Sequence, residues 1–160
     1  MVTNKDILAL SEFLENRGVN FVLTGTAALF YHGFLPKGTE VHDIDIIVLT
    51  PEETRPAFHA MFKELENLSG CQCDNDHYDQ QVYVFKVGKN NVKVNAFEGD
   101  LINQKTSPAF HTMIIDGTSI MVHDVFEVLR AKFYLNRAKD HEFFIKIVNQ
   151  LSSMFACSKK

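Results

Sequence analysis

The feature that most constrains the fold is a pair of carboxylates, Asp43 and Asp45, at the mouth of the apolar run Ile44–Leu49. Residues i and i+2 of a β-strand share a face, so both side chains point the same way, with Cα atoms roughly 6.5 to 7 Å apart. Two like charges held side by side need a cation between them. The pair therefore predicts a β-strand that carries a divalent-metal site, with Asp43 and Asp45 as the metal ligands.

A strand, a glycine turn and a short helix precede the acidic pair. The run Asn20–Thr24 is rich in β-forming residues, Gly25 ends it, and residues 26–32 are predicted to be helical up to Gly33. The first turn of a helix has free backbone N–H groups that can bind an anion. A glycine between a strand and a helix is also ordinary turn chemistry, so this segment indicates a site only together with the acidic pair.

Hydrophobic periodicity and turn residues predict the other elements. Helices are expected at about residues 4–17, 51–68 and 124–136, and again from about residue 139. The helix at 51–68 is predicted to begin with a capping box, Thr50-Pro51-Glu52-Glu53, with proline at its first position. Its apolar face is assigned to Phe58, Met61, Phe62, Leu65 and Leu68.

Two hairpins and a final helical pair complete the predicted fold. The hairpins join residues 78–87 to 92–97 and residues 110–115 to 118–122. A capping box at Asp124 and Glu127 begins the C-terminal helices, which extend over about residues 124–156. The last helix has an apolar stripe of Phe144, Ile147, Val148, Leu151 and Phe155. We predict one α+β domain, residues 1–160, with a mixed β-sheet flanked by helices.

Charge is distributed unevenly along the chain. The formal net charge of -4 argues against nucleic-acid binding over the whole surface. Residues 128–139, in contrast, include four basic residues and no acidic residue, namely Arg130, Lys132, Arg137 and Lys139. Two interpretations stay open. The stretch is either a phosphate-binding patch or a solvated helix face whose basic residues suit the helix C-terminus.

Several classes of protein are not favoured by the sequence. The N-terminus lacks a secretory signal, and no window approaches about 18 consecutive apolar residues, so we expect a cytoplasmic protein with no membrane partner. The three cysteines, Cys71, Cys73 and Cys157, fit reduced thiols. A zinc site formed by Cys71, Cys73 and His77 would lack an evident fourth ligand.

The glycine turn and the acidic pair together resemble the first motif of the nucleotidyltransferase superfamily, which has a polymerase beta-like fold. That motif is a Gly-Ser or Gly-Gly turn followed by Asp-x-Asp on the next strand, and here it reads Gly25-Thr26 and Asp43-Ile44-Asp45. Residues 132–140 resemble the downstream signature of the AbiEii-type abortive-infection toxins and minimal nucleotidyltransferases, Lys-x4-Arg-x-Lys-Asp-x-x-Asp. The likeness spans residues 20–143.

The resemblance implies a chemistry. In that family the strand carboxylates bind one or two divalent metals, Mg²⁺ or Mn²⁺, and the glycine turn receives the triphosphate of an NTP. Two metals stabilise the attacking and leaving oxygens of an in-line phosphoryl transfer. Carried over to this sequence, the metal ligands are Asp43 and Asp45, and Lys132 joins them as a catalytic residue. The implied nucleotide contacts are Gly25, Thr26, Arg137, Lys139 and Asp140.

Two departures from the family pattern bear on activity. The family has a third carboxylate on a later strand, and this chain has Asn95 there, which has an amide oxygen but no charge. Glu98 and Asp100 lie close in sequence, but strand alternation points both away from the face of Asn95 unless a bulge intervenes. In the downstream signature the final Asp is replaced by Phe143, which we expect in the apolar core.

Three functions remain open on this reasoning. The first is an active nucleotidyltransferase that transfers a nucleoside monophosphate to the hydroxyl of an unknown acceptor, which is an RNA, a protein or a small molecule. The second is a catalytically degenerate relative that binds a nucleotide or a metal and acts as a sensor or as a module for a partner protein. The third is a remnant that keeps only the fold and uses its surface for protein interaction. For Arg137 and Asp140, a surface salt bridge between residues three apart is the competing interpretation.

Overall fold

The computed structural model describes residues 1–70, 82–99 and 108–158, with side chains described up to residue 153. The chain begins with helix α1 (Asn4–Glu15), strand β1 (Asn20–Thr24), helix α2 (Gly25–Tyr31) and strand β2 (Ile44–Leu49). After a 3-10 turn at Glu52–Thr54, the next elements are helix α3 (Arg55–Ser69), strand β3 (Val82–Val87) and strand β4 (Val92–Phe97). Strands β5 (Phe110–Ile115) and β6 (Thr118–His123) and helices α4 (Val125–Leu135) and α5 (Ala138–Ser158) follow.

The six strands form one mixed sheet in the order β3-β4-β2-β1-β6-β5. The three sequential pairs β1/β2, β3/β4 and β5/β6 are antiparallel. The parallel pairs β2/β4 and β1/β6 join these hairpins into one sheet. The predicted α+β class with a mixed sheet and flanking helices is therefore confirmed, and both predicted hairpins are present over the residues that the structure describes.

Helices α1 and α3 pack on the face of β3 that carries Tyr83 and Phe85. Phe62 of α3 stacks on Tyr83 with ring centroids 5.1 Å apart, and Phe13 of α1 stacks on Phe85 at 6.1 Å. In the β3/β4 ladder Val84 lies opposite Asn95. Because successive residues of a strand alternate between faces, Asn95 points to the face opposite Tyr83. The aromatic core thus fixes the direction of Asn95.

The beginning of α3 differs from the prediction. The chain forms a 3-10 turn first, Pro51 precedes it, and no side chain caps either start. The hydroxyl of Thr50 is buried with no hydrogen-bond partner among the described residues, so the predicted capping box is wrong. Leu68, assigned to the apolar face, is 77% exposed. The helix ends at Gly70, which has a φ of 64°.

The C-terminal helices agree with the prediction in position and differ in packing. Asp124 caps α4 by accepting hydrogen bonds from the backbone N–H groups of Phe126 and Glu127. The reciprocal half of the predicted capping box is absent, since the Glu127 carboxylate contacts a histidine instead. In α5, Val148 and Leu151 of the predicted stripe are exposed, while Phe144 and Ile147 pack on the core. The side chain of Phe155 lies outside the described part.

Phe143 is buried in the core, as expected from the sequence. The first part of the strand predicted at residues 78–87, residues 78–81, lies outside the described residues. The same holds for Asp100 and for the zinc candidates Cys71, Cys73 and His77. Among the residues that the structure describes, no helix has the length and apolar character needed to span a bilayer.

Candidate functional site

A cleft of about 390 Å³ opens where β1, β2 and β4 meet the C-terminal helices. It collects both carboxylates of the acidic pair, the glycine turn and the basic residues of the downstream segment. Of the predicted site residues, those that line it are Gly25, Thr26, Asp43, Asp45, Asn95, Lys132, Arg137, Lys139 and Asp140. These residues lie as much as 115 positions apart in sequence, from 25 to 140, so only the tertiary fold brings them together.

The acidic pair lies at the beginning of β2. Asp43 precedes the strand and is exposed, whereas Asp45 lies within it and is partly buried. Burial raises the pKa of Asp45, and the neighbouring charge of Asp43 raises it further. The hydrogen bond from Asn95 and the charges of Lys132 and Lys139 oppose that rise in pKa. Burial and Asp43 thus disfavour the ionised form of Asp45, and the donor and the two lysines around it favour that form.

Asn95 lies directly beside Asp45 in the parallel β2/β4 ladder. Its amide nitrogen Nδ2 donates a hydrogen bond of 2.8 Å to Oδ1 of Asp45. The N–H group thus faces the carboxylate, and Asn95 is a hydrogen-bond donor to Asp45 in this arrangement. One oxygen of Asp45 is already engaged by this bond.

Glu98, the nearby alternative to Asn95, does not line the cleft. It accepts a hydrogen bond of 2.9 Å from the hydroxyl of Tyr83, which points to the opposite face of the sheet. Burial raises the pKa of Tyr83, and the hydrogen bond to Glu98 adds to that rise. His59 of α3 also hydrogen-bonds to the Tyr83 hydroxyl. Glu98 is therefore held in a separate cluster behind the sheet.

Gly25 begins α2 and lies over the Asp45 carboxylate. Its φ is +64°, in the left-handed region that favours glycine. A Cβ placed on Gly25 would overlap Oδ2 of Asp45 and lie 3.1 Å from the Asp45 Cβ. Both the backbone conformation and the available space thus require glycine. The result is close contact between the first turn of α2 and the acidic pair.

The basic side of the cleft is organised around Asp140. Asp140 is 1% exposed. It accepts hydrogen bonds from Arg137 Nε at 2.7 Å and from Arg137 Nη2 at 3.0 Å. Lys132 Nζ lies 3.9 Å from Asp140 Oδ1 and 5.0 Å above the ring of Phe143. Burial lowers the pKa of Lys132, and Asp140 and Asp45 act against that effect.

This arrangement combines both interpretations of the basic stretch. Arg137 and Asp140 do form the predicted ion pair, but Arg137 precedes α5, and the carboxylate is buried beside the cleft rather than on a solvated face. Burial alone would raise the pKa of Asp140; the hydrogen bonds and charge of Arg137 outweigh it and lower that pKa. Lys132 and Lys139 remain at the cleft with Asp45 in electrostatic reach.

A polar network next to the acidic pair was missed by the sequence reasoning. Thr24, the last residue of β1, lies opposite Asp45 in the β1/β2 ladder and lines the cleft. Its hydroxyl lies 2.8 Å from Nδ1 of His123, and His123 Nε2 lies 2.6 Å from Oε2 of Glu127. His42, which precedes the acidic pair, also lines the cleft; it is exposed, and its Nε2 lies 3.4 Å from Oε2 of Glu40.

The acidic pair is the metal-ligand set that the sequence predicts. No group of three or more His, Cys, Asp or Glu side chains suited to a metal ion occurs among the described residues. Asp43 and Asp45 provide carboxylate oxygens of the kind that Mg²⁺ and Mn²⁺ prefer. The two carboxylates that line the cleft are thus donors that would suit a hard divalent cation.

The comparisons with known proteins agree with this architecture. No protein-family model and no curated protein matches the sequence. The chain is similar to the structure of an antigenic nucleotidyltransferase-like protein from Paracoccidioides brasiliensis, with a TM-score of 0.55 and 12% identity over 91% of this chain and 73% of that chain. It is also similar to the antibiotic-resistance factor ANT(2'')-Ia, with a TM-score of 0.53 and 14% identity over 92% of this chain and 83% of that chain.

These likenesses show the fold of this chain. It has the nucleotidyltransferase fold that the motifs predict. Neither similar structure is described as AbiEii-type, so that subgroup stays a prediction.

Proposed function

We propose that this chain is a nucleotidyltransferase that moves a nucleoside monophosphate from an NTP to an acceptor hydroxyl by metal-assisted phosphoryl transfer. The observation that carries the proposal is the presence of an acidic group and a basic group of side chains in one cleft. Asp43 and Asp45 lie on one side and Lys132, Arg137 and Lys139 on the other, in a nucleotidyltransferase fold. A triphosphate with its divalent cation carries the complementary pattern of charge.

Each side of the cleft has a distinct role in this proposal. Asp43 and Asp45 would hold one Mg²⁺ or Mn²⁺ ion, which when bound supplies positive charge to the phosphate oxygens. Lys132 and Lys139 contact the phosphates as point charges, and Lys132 acts as the catalytic cation because it is buried close to Asp45. Asp140 orients Arg137 through two hydrogen bonds, which fixes its guanidinium beside the cleft.

The turn at Gly25 and Thr26 completes the nucleotide site. Because no side chain separates Gly25 from Asp45, a phosphate held by the carboxylate-bound cation can approach the backbone closely. Thr26 lines the same cleft, and its hydroxyl is a hydrogen-bond donor suited to a phosphate oxygen. We extend the proposal to the AbiEii-type subgroup and a toxin-antitoxin-like role on the strength of residues 132–140.

A second candidate function follows from Asn95. Its N–H donates to Asp45, so the site lacks the third acid and one oxygen of Asp45 is engaged. Under this alternative the chain is a catalytically degenerate protein of the same fold that binds a nucleotide, or a partner protein, without turnover. The two candidates differ in one respect that can be measured, namely whether pyrophosphate is released.

The test is pyrophosphate release from each of the four NTPs with Mg²⁺ or Mn²⁺, in the presence of RNA, protein and small-molecule acceptor fractions. We expect release by the wild type and its loss in Asp43→Asn. Asp116→Asn is the matched control, because it removes a carboxylate on the exposed β5/β6 turn at a residue with a φ of +47° that asparagine tolerates.

The variant Asn95→Asp separates the two candidates. If the wild type releases no pyrophosphate and Asn95→Asp does, the degenerate alternative is correct. If neither protein releases pyrophosphate under any of these conditions, the proposed enzyme activity is wrong.

A further inference from the structure

Thr24 places a hydroxyl group beside the proposed cation site. It is the last residue of β1, it lines the cleft, and it lies directly opposite Asp45 in the antiparallel ladder. Side chains of directly opposed residues share a face, with Cβ atoms roughly 4.5 to 5.5 Å apart. The Thr24 side chain therefore lies beside the Asp45 side chain in the cleft, at the end of the strand where the phosphates are expected, and its hydroxyl contacts His123 on the neighbouring strand β6.

The hydroxyl is hydrogen-bonded to a buried imidazole. His123 is 3% exposed, and its Nδ1 lies 2.8 Å from Thr24 Oγ1. On the other side of the ring, Nε2 lies 2.6 Å from Oε2 of Glu127. A carboxylate is only an acceptor, so in the neutral imidazole the proton is on Nε2 and Nδ1 carries the lone pair. We assign this tautomer, in which the Thr24 hydroxyl donates a hydrogen bond to Nδ1 of His123.

The same three groups, in the same order, activate nucleophilic hydroxyls in enzymes: a hydroxyl, an imidazole that accepts its proton, and a carboxylate that orients the imidazole. Glu127 lies in the first turn of α4, and His123 is the last residue of β6. These two elements fix the position of the carboxylate relative to the imidazole. The backbone carbonyl of His123 also accepts a hydrogen bond of 2.7 Å from His32 Nε2.

Packing alone gives a weak account of this network. Burying a polar imidazole costs free energy that an apolar side chain of similar volume would avoid. The amide of Asn95 cannot accept a proton from a hydroxyl, so the residue at the third-acid position offers no general base. His123 offers a proton acceptor on β6, the strand that pairs with β1 on the side away from β2.

We propose that Thr24 is itself a nucleotidylation site, and that the acceptor in this reaction is the enzyme's own hydroxyl. The ligand is an NTP. Thr24 Oγ1 attacks the α-phosphorus, an Oγ1–P bond forms, and the bond from that phosphorus to the bridging oxygen of the β-phosphate breaks. Pyrophosphate leaves, the hydroxyl proton passes to His123 Nδ1, and Glu127 stabilises the resulting imidazolium.

This inference rests on the proposed function, because it uses the same NTP site. The product is a phosphodiester between Thr24 and the nucleoside, located within the cleft. Occupancy of the cleft by the attached nucleotide would exclude a second NTP, so the modification also limits further turnover.

The test is incubation of the purified chain with Mg²⁺ and each α-³²P-labelled NTP, followed by intact-mass analysis and peptide mapping. We expect one adduct, with the mass of a nucleoside monophosphate less one water, on the peptide that contains Thr24. Thr24→Ser keeps the hydroxyl and is expected to be labelled, whereas Thr24→Val, which has nearly the same shape, is not. His123→Gln is expected to slow labelling by about 10² to 10⁴-fold, the range for loss of a general base.

Thr112→Val is the matched control, because it makes the same change at an exposed residue of the edge strand β5 that does not line the cleft. Its labelling is expected to equal that of the wild type. Equilibrium dialysis of each labelled NTP against the same protein samples is run in parallel, and it also shows whether Thr24→Val keeps a folded site.

The outcomes separate the inference from the proposed function. Binding of an NTP without any covalent label overturns the inference and leaves the nucleotide site standing. A label mapped to a residue other than Thr24 overturns the inference and supports the transfer activity. Absence of both binding and label overturns the inference and the proposed function together.

Discussion

At the scale of single residues, Gly25 controls how closely the backbone approaches the acidic pair. Two constraints act on it at once, a φ of +64° and the position of the Asp45 carboxylate. A left-handed conformation costs an L-residue roughly 1 to 2 kcal/mol. The steric constraint is separate, because a Cβ on Gly25 would displace the Asp45 carboxylate. The two can be distinguished, because Gly33 has only the first.

We predict that Gly25→Ala lowers the free energy of unfolding and also moves the Asp45 side chain, which weakens binding of an NTP with Mg²⁺ by 10-fold or more, or about 1.4 kcal/mol. Gly33→Ala is the matched control. Gly33 has a φ of +71° and no atom within 4 Å of an added Cβ.

The measurements are denaturant unfolding and calorimetric titration of both variants. Gly33→Ala should lose about 1 to 2 kcal/mol of stability and keep its affinity for the nucleotide. Equal affinities in the two variants would show that Gly25 has no role in the position of Asp45.

At the scale of elements, the junction between α4 and α5 depends on Asp140. The chain turns at Asn136, which has a φ of +50°, and α5 begins at Ala138. Asp140 accepts a hydrogen bond of 3.1 Å from the backbone N–H of Arg137 as well as two from its side chain. One buried carboxylate thus holds the start of α5 and the guanidinium beside the cleft.

We predict that Asp140→Asn lowers the free energy of unfolding at pH 7 by about 2 to 4 kcal/mol, because it leaves Arg137 and Lys132 without their buried counter-charge. The pKa of Asp140 is lowered in the folded protein from its ordinary value of 3.8. Its carboxylate therefore stabilises the fold above pH 3.8, and that contribution is lost as the pH falls through the folded-state pKa.

The difference between wild type and Asp140→Asn should accordingly shrink as the pH is lowered from about 5 to about 2.5, since the wild-type carboxyl becomes neutral as well. Urea unfolding at several pH values measures it, with Asp116→Asn as a control that stays close to the wild type throughout. A difference that is constant over this range would mean that the charge of Asp140 does not stabilise the junction.

At the scale of the whole molecule, the sequence predicts the strands well where local patterns determine them. Strands β1 and β2 have the predicted bounds, because an apolar run, a glycine and an acidic mouth mark their ends within the sequence itself. The start of α3 was predicted wrongly, because a threonine, proline and two glutamates suit a capping box in composition while the chain there adopts a 3-10 turn. Local composition does not distinguish these two beginnings.

The contacts between distant residues were less predictable. Thr24 and His123 are 99 positions apart and meet only because β1 pairs in parallel with β6. No hairpin turn joins these two strands, so no local pattern predicts their pairing. The burial of Asp140 likewise depends on how α5 packs, whereas its spacing from Arg137 suggested a surface pair. Gly25, Asp43 and Asp45 were predictable because strand alternation places the two carboxylates on one face and a glycine turn precedes them, in the order of a known motif.

The measurement that tests the central claim most directly is calorimetric titration of each of the four NTPs into the protein, with Mg²⁺ and again with EDTA. We predict that at least one NTP binds with Mg²⁺, that EDTA abolishes binding, and that Asp43→Asn abolishes it while Asp116→Asn does not. NTP binding that is equal with Mg²⁺ and EDTA, or equal in the two variants, would contradict a cation site at Asp43 and Asp45. So would the absence of binding for all four NTPs.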